Sequence, residues 1–332
     1  MAKRTTDHDL QRKIIAILRI LDEAESPTGA RAIANMLLDE GIDLTERAVR
    51  YHLQILDHRG LTEGLGEAGR LITEKGREEL RNALVSDKLG FVISRIETLA
   101  YQTTFDLDTG RGDVILNVSL LPEESLPHAI GILKEVYAAG YSMGQLLTVA
   151  GAGEMIGPMH VPEGQAALGT VCSVTLNGVL LKQGVPMESK YGGLLQIEDG
   201  RPLRFTELID YTGTTWDPLE IFIAGKLTSA HQAAVSGNGK IGASFRLVPA
   251  AARRRLQDVL AGMDKHGLGG VIAVGRPSQP LLEIQVDMEM MGLVVVAGLT
   301  PMAAVVESGI PAVNQAMKTL ADYSILRPIE EF

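Results

Sequence analysis

Cysteine is almost missing from this chain of 332 residues: Cys172 stands alone. No internal disulfide can form, which fits a reducing cytoplasm. Aromatic residues make up only 4%, so Leu, Val, Ile and Met must fill the interior, with 36 glycines shaping the turns. No apolar run approaches the ~18 residues of a membrane span, and the opening MAKRTTDHDLQRK lacks the apolar stretch of a secretion signal. Positive charge is also short. Against 41 Asp+Glu stand 31 Lys+Arg, a formal charge of −10. That excludes a binder driven by non-specific counterion release and leaves room for a localised reader of DNA. His8, His52, His58, His128, His160, His231 and His266 never pair at metal-ligand spacing, so no metal site is expected.

What is present begins with residues 1–88. Leu10, Ile14, Ile17, Leu18 and Leu21 share one helical face behind Asp7, a candidate N-cap. Ile33, Ala34, Leu37 and Leu38 form a second periodic run that Gly41 stops. The third segment, DLTERAVRYHLQILDHRGL, opens on Thr45 and turns Val49, His52, Leu53 and Leu56 inward. Its opposite stripe is Arg47, Arg50, Tyr51 and Gln54, at the spacing i, i+3, i+4, i+7. Arg can bond guanine or phosphate with two prongs, Gln can read adenine, and Tyr can reach a phosphate. After Gly60 comes a short hairpin with a Gly-rich tip, flanked by Arg70, and then another helix. Three helices and a hairpin predict a winged helix whose third helix enters the major groove. The bland reading of the stripe, a solvated helix face, is set against that ordered context. Residues 1–88 hold 14 basic and 16 acidic side chains, so binding needs a local patch, which dimerisation would double.

Residues 89–108 read as a helical connector. Its apolar positions, Leu80, Leu84, Leu89, Val92, Ile93, Ile96 and Leu99 with the preceding segment, suit either a dimer seam or packing on the C-terminal domain. Residues 109–332 contain an internal duplication. VILNVSLLPEESLPHAIGILKEVYAAGYSMGQLLTVAGAGE matches IGASFRLVPAAARRRLQDVLAGMDKHGLGGVIAVGRPS, and GTVCSVTLNGVLLKQGVP matches GLVVVAGLTPMAAVVESGIP, two residues longer at the strand-to-helix turn. Pro122 and Pro249 are 127 apart, Gly169 and Gly292 are 123, Pro186 and Pro311 are 125. Strand, helix, strand, strand, helix in each half predicts an α+β domain of two ferredoxin-like lobes. The halves span about 109–200 and 236–332, and an insert occupies about 188–235. A cleft between lobes is where a small ligand would bind.

Counted from the matched glycines, Cys172 falls opposite Val295, a position for a small apolar side chain, and no histidine nearby would activate its thiol. TVAGAGEMIG resembles a dinucleotide loop only weakly, because Pro158 and Pro162 would break the helix that must hold a pyrophosphate. No nucleophile–base pair marks a catalytic residue, so an enzyme with an appended winged helix is the rival reading. The insert carries Tyr211, Thr212, Thr214, Thr215, Trp216, Lys190, Arg201 and Arg204. It reads equally as a ligand or dimer segment and as a structured crossover anchored by Trp216.

TERAVRYHLQILDHRGL, GTVCSVTLNGVLLKQGVP, GRPLRFTELIDYTGTTWDPLEIFI and AGLTPMAAVVESGIP together resemble the NrpR family of nitrogen-responsive repressors, over essentially the whole chain. The resemblance implies a homodimer on a palindromic operator of nitrogen-assimilation genes, with 2-oxoglutarate as the effector that releases DNA and no other cofactor. It does not map ligand residues one by one. A dicarboxylate needs cations or backbone N–H donors. Residues 89–332 carry 17 basic against 25 acidic side chains, which makes Lys190 and Arg204, with Thr175 and Asn177 at a helix start, the candidate effector residues. A regulator of other genes with a different small acid is the alternative.

Overall fold

The computed structural model describes residues 2–24, 26–83 and 90–332, with side chains of the first helix from Lys13 onward. The side chain of Leu10, and Leu84 and Leu89, lie outside the described residues. The chain divides into two units, Met1–Leu89 and Gly90–Phe332.

In the first unit α1 (Ala2–Glu23), α2 (Ala30–Asp39) and α3 (Glu46–Arg59) precede the hairpin β1 (Thr62–Gly64) and β2 (Arg70–Ile72), and α4 (Glu74–Asn82) closes it. This is a winged helix. Asp7 lies inside α1, which begins at Ala2, and not at the N-cap position expected for it. The predicted stripes form the core: Ile14, Ile17, Leu18, Leu21, Ile33, Leu37, Val49, Leu53 and Leu56 are all buried. Each apolar side chain so enclosed stabilises the unit by about 1.5–3 kcal/mol. Leu38 departs from the expected pattern and is 59% exposed. It lies in the last turn of α2, next to the point where Gly41 (φ 77°) turns the chain and Ile42 N–H bonds Leu37 O at 2.8 Å. Thr45 caps α3, accepting from Ala48 N–H at 3.2 Å, and Gly60 (φ 71°) ends it. Thr28 adds an isolated bridge to the hairpin, exchanging both backbone bonds with Arg70 at 3.0 Å.

The second unit opens with α5 (Phe91–Gln102), followed by β3 (Asp113–Pro122), α6 (Leu126–Ala138), β4 (Leu146–Ala150), β5 (Met155–Ile156), β6 (Met159–His160), β7 (Gln165–Val171) and α7 (Val174–Lys182). Next come β8 (Glu188–Glu198), β9 (Arg201–Asp210), α8 (Pro218–Ala224) and α9 (Ala230–Ser236). The second half runs β10 (Gly239–Pro249), α10 (Arg253–Lys265), β11 (Val271–Val274), β12 (Met290–Val296), α11 (Thr300–Glu307), β13 (Val313–Asp322) and β14 (Arg327–Pro328). No helix follows β4 directly, so the glycines after it form turns, not a dinucleotide loop.

The sheet orders are β13-β3-β7-β4-β14 and β11-β12-β10-β8-β9, antiparallel throughout. Four strands of each follow the ferredoxin-like order 4-1-3-2. The fourth strand comes from the other half: β8, leaving α7, joins β10, while β13, leaving α11, joins β3. The lobes are therefore exchanged, not sequential. The segment from 188 begins as the counterpart of β13, and only β9, α8 and α9 lack a match. Helices cross over as well, α6 packing on α11 and α7 on α10. Helix α5 belongs to this unit and buries Val92, Ile96 and Leu99 against a cluster containing Ile115, Val174 and Met317.

Strand register corrects the internal alignment. Gly169 faces Val118 and Val294 faces Phe245, two pairs that are equivalent because Val118 and Phe245 keep the 127 spacing. The β7–α7 unit therefore matches β12–α11 at a constant offset of 125, with no extra residues at the turn. Cys172 corresponds to Ala297, not to Val295. The hydrogen bonds agree: Cys172 N–H donates to Ile115 O at 2.8 Å and Ala297 N–H to Gly242 O at 2.9 Å. Matching glycines across a pair of apolar strands misplaces the register by one two-residue repeat, which keeps every side chain on the same face.

Candidate functional site

Two places present unusual chemistry. On α3 the outward residues Thr45, Arg47, Arg50, Tyr51 and Gln54 are all exposed, Tyr51 at 61%. Arg50 pairs with Glu46 one turn earlier, an exposed bond worth a few tenths of a kcal/mol and easily exchanged for a phosphate. His52, on the inner side, is pushed below the usual histidine range by burial and by the Lys13 charge. It is a neutral core residue. Arg70 is less available: its Nε donates to Asp57 Oδ2 at 2.9 Å, and Thr62 Oγ1 donates to the other oxygen at 2.5 Å. Arg70 ties the wing to the end of α3.

The second place is a cavity of about 30 Å³ where the two halves of the second unit meet. The matching corners Cys172–Val174 and Ala297–Leu299 both line it, as do Asn117, Ser189, Ala243, Arg246, Ala316 and Met317. It therefore sits on the internal pseudo-twofold axis. From the unmatched segment come Tyr211, Asp217 and Leu219.

Arg246 is 1% exposed. Its Nε donates to Ser244 Oγ at 3.1 Å, Nη1 to Ser173 O at 2.9 Å and to Asn177 Oδ1, and Nη2 to Ser173 Oγ at 2.7 Å. No carboxylate among the described residues forms an ion pair with it. Burial opposes its charge, yet a guanidinium stays protonated in proteins. A buried, uncompensated cation with an N–H to spare is a place for an anion. Asp217 caps α8, accepting from Leu219 N–H at 2.9 Å and Glu220 N–H at 3.3 Å, and desolvation raises its carboxyl above the usual range. Cys172 is a buried thiol pushed up to about 12, chiefly by desolvation. That suits a wall, not a nucleophile.

None of the four sequence-derived effector residues lines this cavity. Thr175 Oγ1 bonds the backbone of Ile115, accepting from its N–H at 3.0 Å and donating to its carbonyl at 3.3 Å. Thr300 repeats the second bond to Gly242 O at 2.9 Å. The helix-start amides are used too, Thr175 N–H bonding Cys172 O at 3.0 Å and Leu176 N–H bonding Ser173 O at 3.2 Å. Asn177 supports Arg246 and donates to Ser189 Oγ at 3.0 Å. Lys190 pairs with Glu188 at 3.2 Å, and Arg204 is exposed on β9, bonding Gln196 Oε1 at 3.3 Å. Lys190 and Arg204 stand out in the sequence for their charge, but the cation that is enclosed is Arg246. Its signal in the sequence is an arginine inside the apolar run IGASFRLVP. Trp216 is 59% exposed and anchors no core, whereas Tyr211 is buried. Among the described residues no cluster of His, Cys, Asp and Glu could hold a metal ion, and no helix is long and apolar enough to cross a membrane.

Residues 89–328 match the family model of the NrpR regulatory domains NRD1 and 2, and residues 15–80 match that of the ribonuclease R winged-helix domain. A global nitrogen regulator NrpRI from Methanosarcina mazei is 40% identical over 97% of this chain and 99% of its own length. NrpR regulators from Methanococcus maripaludis and Methanocaldococcus jannaschii are 35% and 33% identical, and the chain spans 54% and 52% of their lengths. A crystal structure of a nitrogen repressor-like protein from Methanococcus jannaschii, 29% identical, superposes with a TM-score of 0.61 over 72% of this chain and 98% of that one. With the regulatory-domain model spanning most of the chain and a relative aligned nearly end to end, the chain belongs to the NrpR family.

Proposed function

We propose that this protein is a nitrogen-responsive transcriptional repressor of the cytoplasm that binds a palindromic operator as a homodimer and releases it when 2-oxoglutarate occupies the cavity at Arg246. The observation that carries the reading is the outward face of α3, where Arg47, Arg50, Tyr51 and Gln54 stand free of the core on the third helix of a winged helix. Such a helix lies in the major groove, and two copies on a dimer reach half-sites one helical turn apart. The net negative charge of the chain keeps the non-specific term small, so affinity depends on this patch.

Arg246 supplies the cation for one carboxylate, and Tyr211 and Ser173 offer hydroxyls beside it. The cavity of about 30 Å³ has the volume of roughly one to two waters. A five-carbon dicarboxylate needs several times that, so binding requires a wall to move. The bound arrangement is then a different conformation, selected by the ligand.

The test is fluorescence anisotropy with an operator selected from random duplex DNA. Arg47→Ala and Arg50→Ala are each expected to weaken binding by about 1–3 kcal/mol, and millimolar 2-oxoglutarate to release the native chain. Full binding by the Arg47→Ala/Arg50→Ala double variant would sink the DNA reading. Indifference to 2-oxoglutarate alongside a response to another metabolite would reassign the effector.

A further inference from the structure

Ile96 of α5 and Tyr211 and Asp217 complete the cavity lining, and among the strands that line it one is made differently from the others. The corners at Cys172 and Ala297 are tied to neighbouring backbone, and β10 is paired on both sides. The exception is Ala316–Lys318 in β13. There the pairing with β3 jumps from Gln315 opposite Val118 to Thr319 opposite Leu116, so β13 carries two extra residues. The matching irregularity in β8, between Ser189 opposite Arg246 and Tyr191 opposite Phe245, has one.

Off the ladder, the bulge is held by side chains. Glu220 of α8 accepts from Ala316 N–H at 2.6 Å, and Asn117 Oδ1 accepts from Met317 N–H at 3.0 Å. Arg95 of α5 grips the Met317 carbonyl through Nε at 3.1 Å and Nη2 at 2.9 Å, and Nη2 reaches the Lys318 carbonyl at 3.5 Å. Met317 itself is left-handed, φ 51°, a conformation that costs a side-chain-bearing residue about 1–2 kcal/mol. Strain of this kind persists only where the surroundings enforce it. Ala316 and Met317 both line the cavity.

A ligand larger than the cavity moves the wall that is strained and free of the ladder before it moves a paired strand. Displacing Met317 displaces its carbonyl, and a guanidinium bound there by two nitrogens follows. Arg95 sits on the first helix of this unit, the one to which the winged helix is covalently joined. We infer that Arg95 and Glu220 are positioning residues that clamp the Ala316–Lys318 bulge and convert occupation of the cavity into movement of α5. This rests on reading the cavity as the effector site.

Hydrogen exchange of the full chain tests it without DNA. Ala243→Val fills the cavity from β10, and 2-oxoglutarate is added in a separate arm. Each is expected to speed exchange of the α5 amides at least fivefold in an otherwise native chain and less than twofold in an Arg95→Gln background, with α10 unchanged throughout as the marker of intact folding. An equal response of α5 with and without Arg95 overturns the clamp, as does a folded Ala243→Val chain whose α5 does not respond. If Arg95→Gln fails to fold, Arg95→Lys, which keeps the charge but loses the two-nitrogen grip on the Met317 carbonyl, takes its place with the same expectations. A response to Ala243→Val with none to 2-oxoglutarate leaves the clamp standing and removes the effector assignment instead.

Discussion

The two halves of the second unit share a fold and a register, and they part company around one residue. Arg246 on β10 occupies the place of Ser119 on β3, at the common offset of 127. Its hydrogen-bond partners change with it. Ser173 and Asn177, which receive the guanidinium, correspond to Gly298 and Met302 in the other half. The same scaffold thus holds a cation on one side of its axis and a plain hydroxyl on the other, Ser119 Oγ donating to Asn314 Oδ1 at 2.7 Å. Duplication supplies two matching corners, and three coordinated differences make the cavity that they line directional.

Moving the arginine across the axis is the hardest test of this. Ser119→Arg would bury a charge where Gly298 and Met302 stand in place of the Ser173 and Asn177 acceptors, leaving Asn314 Oδ1 as the side-chain acceptor at hand. A loss of more than about 4 kcal/mol in urea unfolding is expected. Arg246→Met removes the cation but strands Asn177 Oδ1 and the serine groups, at a cost of about 2–3 kcal/mol, and should abolish 2-oxoglutarate binding in calorimetry. Equal tolerance of the two substitutions would mean that the partners at 173 and 177 do not create the asymmetry.

A second difference lies in the paired helices. Gly178 in α7 matches Ala303 in α11. A Cβ at Gly178 would lie 2.5 Å from Thr103 Cβ and 2.8 Å from Ala100 O, because α5 packs closely there. Gly178→Ala is therefore expected to destabilise by about 2 kcal/mol, against about 0.5–1 kcal/mol for the reciprocal Ala303→Gly. Thermal unfolding of both variants decides it, and similar values would show that α5 can shift at no cost.

The smallest effect concerns pH. Desolvation, with the Asp217 charge adding to it and the Ala316 N–H and Arg95 opposing it, raises the Glu220 carboxyl to about 7. The folded state then binds a proton that the unfolded chain has released, so this contribution is complete below the ordinary glutamate range and is lost as pH rises through about 7. Asp217 is raised as well and acts in the same sense. Stability should fall by roughly 1–2 kcal/mol between pH 5 and 8, and Glu220→Gln should flatten most of that slope in urea titrations. An unchanged slope would place the responsible proton elsewhere.

Much of this molecule was legible because periodicity reports burial. The inward stripe Val49, His52, Leu53 and Leu56 and the outward stripe Arg47, Arg50, Tyr51 and Gln54 follow from the helical repeat alone, and both are where the spacing puts them. The duplication was legible from prolines at matching positions, since Pro122 and Pro249 end β3 and β10 while Pro186 and Pro311 stand just before β8 and β13. The candidate effector residues were not. Charge scarcity draws attention to Lys190 and Arg204, but Arg204 lies on the edge strand β9 and is exposed, and Lys190 on β8 pairs with Glu188. Thr175 and Asn177 are close in sequence to the right place, yet their side chains face backbone and Arg246 rather than the cavity.

The winged helix, the ferredoxin-like character of each half and the exposure of α3 were all readable in the chain, because local periodicity and turn residues suffice for these. Three features needed the assembled fold: β8 and β13 exchange lobes, Cys172 matches Ala297, and Arg246 meets Ser173 and Asn177 across 73 and 69 residues of chain. Strand pairing is a long-range choice. An alternating apolar pattern accepts a two-residue slip or a swapped partner without changing which face is buried, and only the complete sheets fix the answer.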